Sequence, residues 1–288
     1  MISFYVSKKF HHCSFLMFLE HFHLSKKHIF WILSTQRASM DSVPCEAKTI
    51  LFEGKTIDFD LNEEETTPFI PTYGRLQILY EDQDVLVINK PSKKIIYPDD
   101  PLKTGTVVND VLGYYQRLQI IGPVRYLHRL DKDTTGCFII AKHLLAHSKL
   151  SNEWDHQTTK RTYLAVVEGR IIPDAGVIEE PIGKDRHRQN SYLVLPNGLQ
   201  AKTTYTVLKR KQKFTLVAFQ LHTGRTHQIR VHSAHMGHPI VGDQQYGSKH
   251  DSNLCLHSWK LAFLSPSTNE LIEITAPTPP SILQLFPQ

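Results

Sequence analysis

Residues 128–136 read His-Arg-Leu-Asp-Lys-Asp-Thr-Thr-Gly and hold the chain's most reactive arrangement of side chains. Asp131 stands among Arg129, Lys132 and small hydroxyl residues, directly before the strand-like run Cys137-Phe138-Ile139-Ile140-Ala141. That pattern presents an acid at the mouth of a sheet, in an electropositive setting that can cradle phosphates. An ionised carboxylate held in such a cleft is a nucleophile or a base, provided a cation beside it keeps it charged. A second segment, Leu221-His222-Thr223-Gly224-Arg225-Thr226-His227-Gln228-Ile229-Arg230-Val231-His232, turns at Gly224 and places Arg225 at the amino end of a helix. Guanidinium and helix dipole together make an anion site there. Tyr163 in Lys160-Arg161-Thr162-Tyr163-Leu164-Ala165-Val166-Val167-Glu168-Gly169 would, taken alone, be a core tyrosine on a strand.

Several elements must position these groups. Val85–Ile88 reads as a buried strand ending in Asn89-Lys90-Pro91, 144–154 as a helix, and 162–167 as a strand closed by Gly169. Strands over 203–208 and 214–221 lead into the Thr223-Gly224-Arg225 turn. The helix that follows is expected over His227–Met236, with Thr226 as N-cap, Gly237 as stop and Pro239 blocking continuation. Strands near 254–263 and 271–275 complete the pattern. Many strands, few helices and hairpin-scale spacings predict an α+β fold with a largely antiparallel β-sheet.

The three segments resemble, in order, the motifs of RluA-type RNA pseudouridine synthases: the HRLD signature around Asp131, the K-x-Y-x-A-x-V-x-G pattern around Tyr163, and L-x-T-G-R-T/S-H-Q-I/L-R-V-H. The resemblance covers about residues 76–277 and implies a mixed, mostly antiparallel β-sheet with flanking helices and a central catalytic cleft. It implies that Asp131 breaks the N-glycosidic bond of a uridine, either by adding to the nucleotide or by removing a sugar proton so that a glycal forms. It implies also that Arg225 pairs with Asp131 and keeps it ionised, and that Tyr163 packs on the base. Arg161 stands where the family usually has lysine, and Lys160 is an alternative cation. By the same resemblance Arg129 enters the RNA stack when the uridine flips out, and His128, Lys90, Lys160, Arg161, Thr135, His227 and Gln228 face RNA. Around Lys90 the match is partial, with Lys93 in place of glycine and Tyr97 in place of histidine. The implied partner is structured RNA, ribosomal first and transfer RNA next, bound by a monomer without cofactor or metal. Two other classes remain: a non-catalytic RNA-binding protein or chaperone on the same fold, and a base-excising glycosidase that releases free uracil.

At 288 residues, with 41% hydrophobic and 21% charged residues, the chain has the composition of an ordinary globular protein. A net charge of +5 favours an anionic partner. The four scattered cysteines form no CxxC pair and suggest a reducing compartment, the cytoplasm. His227, His232, His235 and His238 crowd together without an i,i+4 pair, which argues against a metal.

Residues 1–39 are basic, with Glu20 as their one acid, and carry apolar clusters too interrupted to span a bilayer. They read either as an organellar transit segment or as residues preceding a true start at Met40, the second being simpler. Residues 40–75 read as a hairpin (Thr49–Phe52 with Thr56–Phe59) and an acidic linker; the resemblance implies that they hold at most a remnant of the S4-like RNA-binding module that many relatives carry. Residues 76–288 form the catalytic domain.

Overall fold

The computed structural model describes residues 1–62, 67–156 and 158–287. The amino-terminal part is a small packed unit. Strands β1 (Ile2–Tyr5), β2 (Ala38–Met40), β3 (Val43–Pro44) and β4 (Thr56–Phe59) form a sheet in the order β1-β4-β2-β3. Two helices, α1 (Phe15–His21) and α2 (Lys26–Ser34), precede β2, and each starts at a serine, Ser14 or Ser25, whose side chain accepts a backbone N–H. Phe15, Phe18, Leu19 and Phe22 recur at helical spacing and are buried with Phe4, Ile57 and Phe59.

This arrangement corrects the expected boundary at residue 39. β1 pairs along its whole length with β4, Ile2 opposite Phe59 and Tyr5 opposite Thr56, so residues on both sides of Met40 share one sheet and one core. The expected hairpin is absent among the described residues. β4 pairs instead with β1 and β2, and Ile50 bridges Ser14. The unit leans on the rest of the protein through Leu144 and Leu145, which belong to its core cluster, and through Phe4, edge-on to His143. Of the expected acidic linker, residues 63–66 lie outside the described residues.

The larger part is built on strands β5 (Ile78–Glu81), β6 (Val85–Lys90), β7 (Arg125–Tyr126), β8 (Thr135–Ala141), β9 (Lys160–Glu168), β10 (Ala175–Ile178), β11 (Ile182–Lys184) and β12 (Tyr192–Val194). They are followed by β13 (Thr203–Arg210), β14 (Phe214–Leu221), β15 (Leu256–Leu264) and β16 (Leu271–Thr275). Helices α3 (Val107–Arg117), α4 (Leu144–Asp155), α5 (Gln228–His235) and α6 (Pro280–Leu283) complete it. The main sheet runs β10-β13-β14-β9-β15-β8-β6-β5, with β16 on β15 and β7 on β8, while β11 and β12 form a separate ribbon. Among the described residues only the β15–β8 pairing is parallel, so the sheet is mixed and mostly antiparallel, as expected.

Helix α3 has no counterpart in the sequence reading, although Thr106 and Asn109 form a reciprocal capping box at its start. It buries Val107, Val111 and Tyr115 in the core that also holds β6 and β8 residues Leu86, Ile88, Phe138 and Ile140. Among the described residues no helix is long and apolar enough to cross a membrane.

Candidate active site

Asp131 lies in the loop from β7 to β8, where three central strands meet. Gly136, at the start of β8, is held at φ +107°, and a Cβ there would stand 2.2 Å from the Ser258 carbonyl oxygen on β15. Only glycine fits both the backbone angle and that close approach. The neighbouring Thr135 hydroxyl contacts His257 Nδ1 at 2.7 Å, which ties the loop to β15. From the other side, Lys90 at the end of β6 is wholly buried, and its Nζ donates to the carbonyls of Pro91, Lys94 and Lys132. Burial lowers its pKa to about 8. Lys90 and Thr135 therefore brace the Asp131 loop, and the expectation that Lys90 faces RNA is corrected by its lack of exposure.

The cation beside Asp131 is Arg230. Its Nη1 donates to Asp131 Oδ2 at 3.1 Å. Its Nε and Nη2 grip both oxygens of Asp243, at 2.7 and 2.8 Å, and Nη2 also reaches Gln245 Oε1. The guanidinium lies 4.9 Å over the Tyr246 ring. Burial alone would lower the Arg230 pKa, but the hydrogen-bonded carboxylate of Asp243, and then Asp131, outweigh it and the net shift is upward.

Arg225, the expected partner of Asp131, is exposed and its Nε donates to the Gln200 carbonyl. The local fold explains the exchange. Helix α5 begins one residue later than expected, at Gln228, and its N-cap is His227 in the left-handed conformation at φ 55°, not Thr226. Arg225 thus stays in the turn that precedes the helix, while Arg230, in the buried face, points inward. Gln228 sets this turn. Its Oε1 accepts from Thr223 and the Arg225 backbone, and its Nε2 donates to the Lys202 carbonyl and Thr203. With every polar atom engaged and the residue buried, Gln228 shapes the site and does not face RNA, a second correction.

His227 Nε2 lies 3.7 Å from Asp131 Oδ2, and its Nδ1 contacts the Tyr246 hydroxyl at 2.8 Å. Burial depresses its pKa, which Asp131 partly counters. His128 is also buried, stacked on Trp154 at 4.7 Å with its Nε2 accepting from the Ile139 N–H. Burial takes its pKa down to about 3, so it is neutral, and its ring is held between Trp154 and the Ile139 N–H where the expectation had it facing RNA.

Two cavities flank Asp131. The first, of about 340 Å3, is lined by Asp131, Tyr163, Arg161, Trp154, Leu256 and the 224–230 turn. The second, of about 780 Å3, opens between Asp131–Asp133, Tyr97, Tyr126, Asn190 and 242–245. Arg129 is exposed and lines both. Tyr163 is buried in the first, and burial raises its pKa, with Arg161 acting against that rise. Lys160 is exposed one residue before Arg161 on β9. The structure therefore gathers Asp131, Tyr163, Arg161, Arg129, Arg225 and His227 around one cleft, with the buried side chains of His128 and Gln228 in its lining, and it sets Lys90 and Thr135 behind it as supports. Arg230 and Asp243 were not singled out from sequence. Both sit next to buried apolar runs, Ile229–Val231 and Ile240–Val241, which gave them the look of core neighbours.

The chain that carries this site is similar to known proteins over most of its length. The model of a family described as RNA pseudouridylate synthase matches residues 84–235. The chain belongs to that family. An uncharacterised RNA pseudouridine synthase of Bacillus subtilis, YhcT, is 42% identical over 240 residues, covering 82% of this chain and 80% of its own length. The ribosomal large subunit pseudouridine synthase D of Pasteurella multocida is 34% identical over 82% of this chain and 77% of its own. Among solved structures, human RNA pseudouridylate synthase domain containing 1 superposes with a TM-score of 0.61 at 25% identity, over 72% of this chain and 84% of that one. The chain is thus an RNA pseudouridine synthase, an isomerase that relinks uracil to its ribose, and Asp131 to Gly136 fall within the matched family segment.

Proposed function

We propose that this pseudouridine synthase isomerises uridines in ribosomal RNA, with Asp131 as the group that acts on the sugar and Arg230 as the cation that keeps it charged. The single observation that carries the residue assignment is the 3.1 Å contact from Arg230 to Asp131 at the meeting point of two clefts. Both routes of glycosidic cleavage, addition of Asp131 to the nucleotide or removal of a sugar proton, require that carboxylate ionised. Tyr163 forms the wall against which the base rests. Arg129, exposed between the two cavities, is placed to fill the helix position vacated by a flipped uridine. Arg225, His227 and Lys160 contribute to the RNA-facing rim. Ribosomal RNA is favoured as substrate because relatives at 34% identity are named for the large ribosomal subunit. A cytoplasmic monomer is the accompanying reading.

The test is carbodiimide-based pseudouridine mapping of total RNA from cells lacking the gene, complemented with wild type or with Asp131→Asn. Ribosomal sites that vanish and return only with wild type support the proposal. Sites confined to transfer RNA would overturn the choice of substrate. Full activity of Asp131→Asn would overturn the residue assignment.

A further inference from the structure

Among the described residues Arg161 is a buried cation without a counter-ion. Only 9% of its surface is exposed, yet no carboxylate among the described residues pairs with it, and its Nε has no hydrogen-bond partner. Its guanidinium carbon lies 4.5 Å over the Trp154 ring, which is itself stacked on His128. Its Nη1 faces the turn, 3.4 Å from where a Cβ on Gly224 would stand. Gly224 therefore leaves room for this guanidinium; its own backbone is not left-handed. Burial lowers the Arg161 pKa. A cation–π contact recovers only part of what a buried charge loses in leaving water. A negative charge arriving with the substrate would supply the remainder.

Arg161 and Tyr163, two apart on β9, share one face of the strand and line the same cavity as Asp131. Beside its charged groups that cavity has aromatic and apolar walls: Trp154, Tyr163, Leu221 and Leu256. Such walls suit a pyrimidine ring, whereas phosphates belong at the mouth, where Arg129 and Arg225 are exposed. When the C1′–N1 bond breaks, its electron pair leaves with the base, and the negative charge spreads over N1, O2 and O4. The ring then turns and C5 uses that pair to bond C1′. The C5 proton is lost and N1 gains one, so the reaction is an isomerisation.

We propose that Arg161 is a further catalytic residue, which donates hydrogen bonds to a carbonyl oxygen of the detached uracil and stabilises it as an anion. Arg161 remains protonated throughout, a preorganised donor aimed at charge that exists only after cleavage. The proposal rests on the isomerase activity and is independent of which RNA carries the uridine.

The experiment uses the full-length chain in excess over a transcript bearing a uridine that wild type converts, made with either uridine or 5-fluorouridine. The electron-withdrawing fluorine stabilises the departing base anion and so reduces the need for a donor. Arg161→Met is expected to slow loss of N-linked uridine about 100-fold, with RNA affinity changed less than about threefold. On 5-fluorouridine the deficit is expected to shrink to about tenfold or less, and Arg161→Lys to restore most of the rate on uridine. An equal deficit on both transcripts would mean that Arg161 only shapes the pocket. A loss confined to affinity would assign it to a phosphate. Either result overturns the proposal, as does an unimpaired Arg161→Met. Should Arg161→Met fail to fold by circular dichroism, Arg161→Gln carries the same comparison. A wild-type chain that converts no uridine in any RNA would count against the activity itself and leave a result distinct from these.

Discussion

Arg230 reaches Asp131 with one nitrogen because Asp243 holds two others. The bidentate grip on Asp243 fixes the guanidinium plane, and the remaining Nη1 is thereby aimed at Asp131 Oδ2. Asp243, 2% exposed, acts on the reaction only through this clamp, as a positioning residue. Arg230→Met is expected to lower turnover by about 100-fold or more, since it removes the one arginine that hydrogen-bonds Asp131. Arg230→Lys should rescue little, because a point ammonium cannot span Asp243 and Asp131 together. Asp243→Asn should lower kcat more than it raises KM. Single-turnover kinetics on a transcript that wild type converts check all three, and a wild-type rate in Arg230→Met would break the assignment.

Arg225 is expected to behave differently although it lies only five residues away. It is exposed, bonded to the Gln200 carbonyl, and directed to the cleft rim. Arg225→Ala should weaken RNA binding and reduce the slope of log affinity against log salt by about one. Its kcat should stay within a few-fold of wild type. Filter binding over a salt series, alongside kcat, separates this outcome from the collapse expected of Arg230→Met.

The difference between these arginines marks where sequence stops being informative. The two strands with the cleanest boundaries, 214–221 and 271–275, carry apolar runs closed by polar turns, and the structure ends them at the same residues. That Asp131 and Tyr163 share one cleft is legible because each is fixed in a motif whose neighbours are strand-formers. The partner of Asp131 was not. Residues 228–233 of α5 are all buried, so no amphipathic stripe says which way the helix faces. The choice between Arg225 and Arg230 also depends on a left-handed His227, a conformation rare for non-glycine residues and unannounced by its type. At the amino terminus the situation is reversed. The stripe Phe15, Phe18, Leu19, Phe22 is an amphipathic helix in plain view. Acid-poor composition suggests targeting, and periodicity gives the better guide.

Acid should destabilise the protein in part through His128. Buried and neutral, it has a folded pKa of about 3 against an ordinary value of 6.5. Below pH 6.5 the unfolded chain takes up a proton that the folded chain refuses, so stability falls as pH drops from 6.5 towards 3. The slope from this one group approaches about 1.4 kcal/mol per pH unit. His128→Gln, which keeps an acceptor for the Ile139 N–H, should lose stability less steeply, by about 2–3 kcal/mol between pH 6.5 and pH 4. Burial depresses His21 and His257 as well, each to about 4, and both contribute equally to the two proteins. Urea unfolding across that range reads the difference, and parallel curves would refute the His128 contribution.

A chain beginning at Met40 should be markedly less stable than the full chain. It would lack β1, α1 and α2, and so the partners of β4 and most of the cluster around Phe15, Phe18 and Phe22. Leu144 and Leu145, now buried at 3% and 0% exposure against that unit, would face water. Exposing two leucines alone costs about 3–6 kcal/mol, a large fraction of a typical domain's stability. With Ala38 and Ser39 of β2 also gone, β4 would be left as an unpaired sheet edge prone to association. Thermal unfolding and size-exclusion chromatography of 1–288 and 40–288, expressed side by side, check this. The shorter chain is expected to melt at lower temperature or to aggregate. Equal melting temperatures with a monomeric elution would show that residues before Met40 contribute nothing to the fold.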